Sequence, residues 1–128
     1  MERTNFDSGT PWESAVGYSR AVRVGPHVFV TGTLAAGEDG RIVSPDAAEQ
    51  ARYIFAKIQS VLEQAGARLE HVVRTRIYLL TLDDSDAVGA VHHEWFGDIR
   101  PCATMLAISD LFTDDARVEI EVDAIIHE

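Results

Sequence analysis

Three carboxylates at alternate positions near the C-terminus have a spacing that could support chemistry. Glu119, Glu121 and Asp123 alternate with apolar residues in RVEIEVDAIIH, residues 117–127. A period of two is typical of a β-strand with one buried face, so the carboxylates would share the other face. Burial among like charges moves a carboxyl pKa toward neutrality, as a general acid or base requires. The row therefore contains candidates for a general acid or base.

A second strand-like segment supplies cations for this acidic row. In HVVRTRIYLLTL, residues 71–82, Arg74, Arg76 and Tyr78 would share one face, opposite the face of Val73, Thr75, Ile77 and Leu79. Neighbouring strands would place both arginines over the carboxylates. One interpretation is a solvated face where Glu121 pairs with an arginine. The other is a face covered by a second subunit, because apolar residues accompany the charges, namely Val72, Tyr78, Leu80 and Ile125.

Histidine and cysteine give weaker candidates. His92 and His93 precede Glu94, but adjacent helix positions diverge by about 100°, and the i, i+4 pair of a zinc-binding helix is absent. We therefore predict no metal site and expect these histidines at the core edge or the surface. Cys102 is the only cysteine, so an intrachain disulfide is excluded. We expect it to be a small buried strand residue and not a nucleophile.

The first third of the chain predicts an arm followed by a hairpin. Residues 1–13 are polar and rich in turn formers, which favours an extended arm anchored by Trp12. Residues 18–24 and 27–33 resemble short strands joined by a turn at Gly25 and Pro26. Gly32, in the second strand, marks either a close approach of backbone or ligand or a β-bulge.

Two helices and three strands are predicted in the remaining chain. Ser44 and Pro45 indicate a helix start, and a helical apolar period runs from Ala47 to Ala65 before Gly66 ends it. A strand at residues 72–80 precedes a second helix. Asp83, Asp84 or Ser85 would cap this helix, and Gly97 would end it. Its apolar stripe would consist of Val88, Val91, His92, Trp95 and Phe96. Pro101 then opens a strand over residues 102–108, and a loop over residues 109–116 leads to the acidic strand.

The composition limits the class of protein. The chain has 128 residues, 46% of them hydrophobic, and 11 basic against 21 acidic residues give a net charge of −10. A phosphate backbone would meet net repulsion, so we predict no nucleic-acid partner. No segment has the apolar length of a signal peptide core or a membrane span, which predicts a cytoplasmic protein without a membrane partner.

The order of elements predicts a single α+β domain over residues 1–128. Two strands, a helix, a strand, a helix and two strands suit a mixed sheet with both helices on one face. The other face would be bare and partly apolar. Oligomerisation is the simplest way to cover it.

Several strings match a known family in order and spacing. They are GYSRAV at 17–22, VTGT at 30–33, AAEQA at 47–51, AGA at 65–67 with LEHVVRTRIYL at 69–79, the FG–P–AT pattern at 96–104, and VEIEVDAI at 118–125. Together they resemble the Rid family, also called the RidA or YjgF family, across nearly the whole chain. The resemblance implies a chorismate-mutase-like fold and a homotrimer with a central β-barrel and three inter-subunit clefts. It also implies hydrolysis of enamines and imines such as 2-aminoacrylate to a keto acid and ammonia, without metal or cofactor.

The resemblance assigns roles to individual residues. Glu121 falls where the family has a water-positioning glutamate, and Tyr18 where it has a cleft tyrosine. Thr31 matches a small hydroxyl residue beside the family's glycine, here Gly32. The candidate catalytic residues are therefore Glu121 and Tyr18, and Thr31 and Gly32 are candidate substrate-binding residues.

The penultimate strand departs from the family pattern. Ala103 stands where family members have the arginine that binds the substrate carboxylate, and alanine offers no bidentate partner. Met105 stands where a cleft cysteine is common, and Thr104 lies between the two positions. Arg76 is a candidate to bind the carboxylate instead, Arg100 is a competing candidate, and solvated surface is the third alternative for both.

The predicted function is hydrolytic deamination of an imine or enamine that differs from 2-aminoacrylate. The alternative is a non-catalytic module that binds a small metabolite, such as a keto acid, in the same cleft. An endoribonuclease activity, attached by name to some relatives, is opposed by the net charge of −10.

Overall fold

A computed structural model describes all 128 residues and forms one six-stranded sheet. The strands are β1 (Arg3–Phe6), β2 (Ala21–Val24), β3 (His27–Thr33), β4 (Val72–Leu79), β5 (Cys102–Ala107) and β6 (Val118–Ile125). The α-helices are α1 (Pro11–Val16), α2 (Ala47–Gln64) and α3 (Ser85–Phe96), and short 3-10 helices cover Leu69–His71 and Leu82–Asp84. The strand order is β1-β2-β3-β6-β4-β5. Only β4 and β5 are parallel, so the predicted mixed sheet is confirmed.

The core lies between the sheet and the helices α2 and α3, which pack against each other. The apolar period predicted for α2 is buried, and Gly66 (φ 86°) follows the helix as expected. From the sheet, β6 contributes four alternating residues that are at most 1% exposed. The largest buried helix residues are Ile54, Phe55, Ile58, Leu62, Val88, Val91 and Phe96. The predicted α+β fold is therefore confirmed.

The open face of the sheet carries the acidic row. On β6, Glu119, Glu121 and Asp123 are half-buried, and β4 places Tyr78, Arg76 and Arg74 opposite them in that order. The predicted neighbouring strands with apolar faces on the same side are thus observed.

The sequence pattern placed Val72 on the open face, but in the structure Val72 points into the core. The β4–β6 register shifts between Val72 and Arg74, and Val72 is 3% exposed in the core. A bulge adds one residue to one strand, which turns the residues before it to the opposite face.

The N-terminal segment is not an extended arm. Residues 3–6 pair with β2, and Pro11 at the first turn begins the short helix α1. Trp12 is 56% exposed and is not a buried anchor. Glu13 has that role at 4% exposure, with its carboxylate accepting hydrogen bonds from the Ser8 backbone N–H at 2.9 Å and from the Ser8 hydroxyl.

Two further predictions need correction. The N-cap of α2 is Asp46, whose carboxylate accepts from the Glu49 N–H at 3.0 Å, so Ser44 and Pro45 precede the helix. Cys102 is exposed, not buried. It begins β5, an edge strand, and its β4 neighbour Arg74 lies on the open face.

The open face retains large apolar side chains. Phe29 is 48% exposed, and Leu80 and Leu106 are each 38% exposed. None of the helices combines the length and apolar character needed to cross a membrane.

Candidate functional site

Three residues singled out from the sequence line one surface depression. Tyr18, Thr31 and Glu121 surround a volume of about 490 Å³, with Asp123 and Phe29 also in its wall. Tyr18 comes from the turn before β2, Thr31 from β3 and Glu121 from β6. The antiparallel pairing of β3 with both β2 and β6 brings these segments together. The depression combines a phenol, a hydroxyl and carboxylates, which suits a small polar ligand.

Gly32 lies at an irregularity of β3 and touches a carboxylate. The β3–β6 register shifts between Val30 and Thr33, which confirms the bulge anticipated at Gly32. A Cβ at this position would lie 3.0 Å from Cδ of Glu119. The register shift agrees with the bulge interpretation of Gly32, whereas the close neighbour is the Glu119 side chain and not the backbone or ligand of the other interpretation.

Glu119 has the electrostatic environment that the sequence assigned to Glu121. Burial raises the pKa of Glu119 above its usual value, the negative charge of Glu121 raises it further, and Arg20 opposes both. A carboxyl group with a raised pKa holds and releases protons closer to neutral pH. Glu119 is thus the functional candidate that sequence reasoning missed. Gly32 was the residue in the sequence that could have indicated Glu119. The irregularity of β3 that brings Gly32 close to Glu119 cannot be recognised from the alternation of apolar and polar residues.

Glu121 is engaged by side chains of β4. The Tyr78 hydroxyl donates to Glu121 Oε1 at 2.5 Å, and this hydrogen bond, with burial and nearby carboxylates, raises the pKa of Tyr78. Arg76 Nη1 lies 3.8 Å from Glu121 Oε1 and 3.3 Å from Asp123 Oδ2. Arg76 therefore pairs with the acidic row. This pairing agrees with the interpretation in which Glu121 is the partner of an arginine. At such exposure each ion pair contributes at most about 1 kcal/mol.

The β5 candidates divide between the two faces of the sheet. Ala103 and Met105 pair with Thr75 and Ile77, which point into the core, and Met105 packs against that core. Thr104 pairs with Arg76 and so lies on the open face. Ala103 is exposed only because β5 is an edge strand. Within one chain, Ala103 and Met105 are not brought to the depression that Tyr18 and Thr31 line.

The other charged candidates lie elsewhere. Arg100 is exposed, with a left-handed φ of 55° just before Pro101. His92 Nε2 lies 2.9 Å from the buried Thr75 Oγ1, and burial lowers the pKa of His92. His93 is exposed. No group of three or more His, Cys, Asp or Glu side chains is arranged to hold a metal ion.

Comparisons with known proteins give a consistent family. The family model for Endoribonuclease L-PSP matches residues 10–126. A RutC family protein of Pyrococcus abyssi is 37% identical over 112 residues, which cover 87% of this chain and 86% of that protein. A 2-iminobutanoate/2-iminopropanoate deaminase of Dermatophagoides farinae is 30% identical over 105 residues, covering 81% of each chain. The crystal structure of a YjgF/YER057c/UK114 family member from Mycobacterium tuberculosis is 46% identical, with a TM-score of 0.89 over 98% of this chain and 100% of that chain.

Proposed function

Because this chain belongs to the Endoribonuclease L-PSP family, also known as the YjgF or Rid family, we propose that it hydrolyses reactive imines or enamines to carbonyl compounds and ammonia. One relative in this family is named as a 2-iminobutanoate/2-iminopropanoate deaminase. The observation that carries the proposal is the half-buried Glu119, whose raised pKa accompanies its contact with Gly32.

The chemistry requires a group that moves protons near neutral pH. Water adds to the carbon of the C=N bond and loses a proton, and the nitrogen gains protons and leaves as ammonia. A carboxyl group with a raised pKa can accept the proton from water and return it to nitrogen. In our proposal Glu119 has this role, although in a single chain Glu121 and not Glu119 lines the depression. Glu121, the residue favoured by the sequence, raises the proton affinity of Glu119, and Tyr18 and Thr31 contact the ligand.

The proposed substrate lacks the carboxylate that family deaminases bind. Ala103 offers no charge or hydrogen-bond donor from its side chain, and Arg76 lies 3.3 Å from Asp123 Oδ2, so neither is a free bidentate partner. We propose a neutral or cationic imine, in which an uncharged group replaces the carboxylate.

The proposed cleft includes a second chain. Ala103 and Met105 lie on the helix side of the edge strand β5, whereas Tyr18 and Thr31 line the depression on the open face. An interface that brings β5 of one subunit beside the depression of the next would unite both sets. The exposed Phe29 and Leu106 support the homotrimer as the assembly that covers them.

The experiment that tests this function compares two imines. A serine or threonine dehydratase generates 2-aminoacrylate, and pyruvate appearance is followed with the parent chain, with Ala103→Arg and with buffer. In parallel, an amine oxidase generates a carboxylate-free imine, and ammonia release is followed. We expect the parent to accelerate the second reaction and Ala103→Arg to improve the first. Acceleration of neither reaction by either protein would contradict the proposal.

The non-catalytic alternative rests on Ala103. A module that only binds a metabolite needs no substrate-orienting arginine. In a thermal-shift screen, keto acids or amines would raise the melting temperature of such a binding module. Product would appear no faster than in buffer. Ligand stabilisation without turnover would therefore favour the binding module over the hydrolase.

A further inference from the structure

Arg20 connects a buried carboxylate to the candidate site. Its Nε lies 3.5 Å from Glu13 Oε2, with the side chains 14% and 4% exposed respectively. Glu13 is ionised there, because hydrogen bonds from Ser8 and the Arg20 charge outweigh burial and hold the pKa of Glu13 below its usual value. Arg20 Nε is nevertheless buried without a hydrogen-bond partner. The Glu13 carboxylate thus pairs with the guanidinium as an ion without accepting a hydrogen bond from Nε.

The same guanidinium fixes the β3 bulge. Arg20 Nη1 donates to the Gly32 carbonyl at 3.2 Å and to Thr33 Oγ1 at 3.3 Å. The buried Thr33 hydroxyl in turn donates to the Thr31 carbonyl at 2.8 Å. Arg20 therefore restrains the backbone on both sides of Gly32, the residue that the Glu119 carboxyl group touches.

We propose that Arg20 is a positioning residue that holds the Thr31–Thr33 bulge against Glu119 and supplies its counter-charge, and that Glu13 regulates how much of this charge reaches Glu119. The catalytic meaning of this arrangement rests on the proposed function. The arrangement itself concerns only Glu13, Arg20 and Glu119, and it can be tested without turnover.

Several charged groups surround Glu119. Glu121 lies on the same strand and raises the pKa of Glu119, whereas Arg20 lowers it. From β4, Tyr78 is the direct register partner of Glu119, and Arg76 is opposite Glu121. From α2, Lys57 donates hydrogen bonds to the Leu34 and Ala36 carbonyls at 3.2 and 3.1 Å, and burial, together with the Arg20 charge, lowers the pKa of Lys57. Arg20 is thus the cation through which Glu13 can act on Glu119.

The test is the titration of the Glu119 carboxyl carbon by NMR in the full chain, with the resonance assigned by its loss in Glu119→Gln. Arg20→Gln removes the counter-charge, so the Glu119 midpoint should move to higher pH. Glu13→Gln leaves the guanidinium unneutralised, so the midpoint should move to lower pH. The double variant should titrate like Arg20→Gln alone, because Glu13 acts through Arg20. Arg74→Gln, whose guanidinium pairs with Asp123 at 3.8 Å, is the matched control and should leave the midpoint in place.

The opposite signs separate an electrostatic role from a structural one. Simple loosening of the bulge would expose Glu119 and move its midpoint downward in both single variants. Equal midpoints in the parent, Arg20→Gln and Glu13→Gln would overturn the proposal, as would shifts of the same sign. If Arg20→Gln does not fold, Glu13→Gln keeps the test decisive: a Glu119 midpoint that is unchanged or raised in this variant would contradict the proposal. The NMR titration needs no activity, so its failure is distinguishable from failure of the proposed hydrolase function.

Discussion

At the scale of single residues, two carboxylates on the same strand have different environments. Glu119 lies next to Gly32. Arg20 is the cation that lowers the pKa of Glu119, against the rise caused by burial and by Glu121. Glu121 accepts a hydrogen bond from Tyr78 and lies 3.8 Å from Arg76. Alternation identified both as members of one face, but it cannot rank them, because the ranking depends on Arg20 just before β2 and on partners from β3 and β4.

A pair of isosteric variants separates the two carboxylates kinetically. Glu119→Gln should lower kcat by about 10²- to 10⁴-fold, the usual contribution of a positioned acid or base. Glu121→Gln should retain most of the activity and move the acidic limb of the pH–rate profile to lower pH, because a charge that raises the Glu119 pKa is gone. Steady-state rates across pH measure both effects. A larger loss in Glu121→Gln than in Glu119→Gln would instead support Glu121 as the catalytic residue.

His92 should make the folded state sensitive to mild acid. Its folded pKa lies below the usual value because of burial, so as the pH falls below about 6.5 the unfolded chain binds a proton that the folded chain does not bind. Stability is therefore lost as the pH falls through the unfolded pKa. Urea unfolding should show this loss in the parent and in His93→Gln, but a smaller one in His92→Gln. The same pH dependence in all three proteins would exclude His92 as its source.

At the scale of elements, long periodic segments were predictable and local irregularities were not. Helix α2 and strands β4 and β6 follow from apolar periods over many residues. β1 and α1 have four and six residues, too few for a period to be distinct from turn composition. The bulges at Val72–Arg74 and at Gly32 depend on pairing with β6, and the exposure of Cys102 depends on β5 being an edge strand. Such non-local pairings leave no local signal.

Gln50 links α2 to the loop before β6. It is fully buried; its amide donates to the Ser44 and Asp115 carbonyls at 2.8 and 3.0 Å and accepts from the Arg117 N–H at 2.9 Å. Gln50→Leu removes three hydrogen bonds to partly buried backbone groups, so we expect a loss of about 3 kcal/mol in the free energy of unfolding. Gln64→Leu, an exposed position of the same helix, should change it by less than about 0.5 kcal/mol. Equal effects in urea titrations would contradict the bridging role.

At the scale of the whole molecule, the sheet has one covered and one open face. The open face combines paired charges with exposed apolar residues, and the β5 residues of the predicted site lie away from the depression. A single chain is therefore an incomplete site in our account. The sequence predicted an uncovered face from composition, but the separation of Ala103 and Met105 from the depression became visible only with the strand order.

The proposed homotrimer has a direct test. Light scattering should give a mass near 42 kDa, three times the 14.1 kDa of one chain. Leu106→Glu places a charge on the open face and should shift the mass toward that of a single chain. Leu82→Glu is the control, because Leu82 is 59% exposed on the short 3-10 helix after β4, and it should leave the mass unchanged. A parent mass of 14 kDa would contradict the assembly.

The most direct measurement of the central claim is ammonia release from a carboxylate-free imine, generated in place by an amine oxidase, with the parent chain and Glu119→Gln at equal concentration. We predict acceleration above buffer by the parent and a rate near buffer for Glu119→Gln, with both proteins equally folded by circular dichroism. Equal acceleration by the two proteins, or none by the parent, would contradict Glu119-dependent imine hydrolysis.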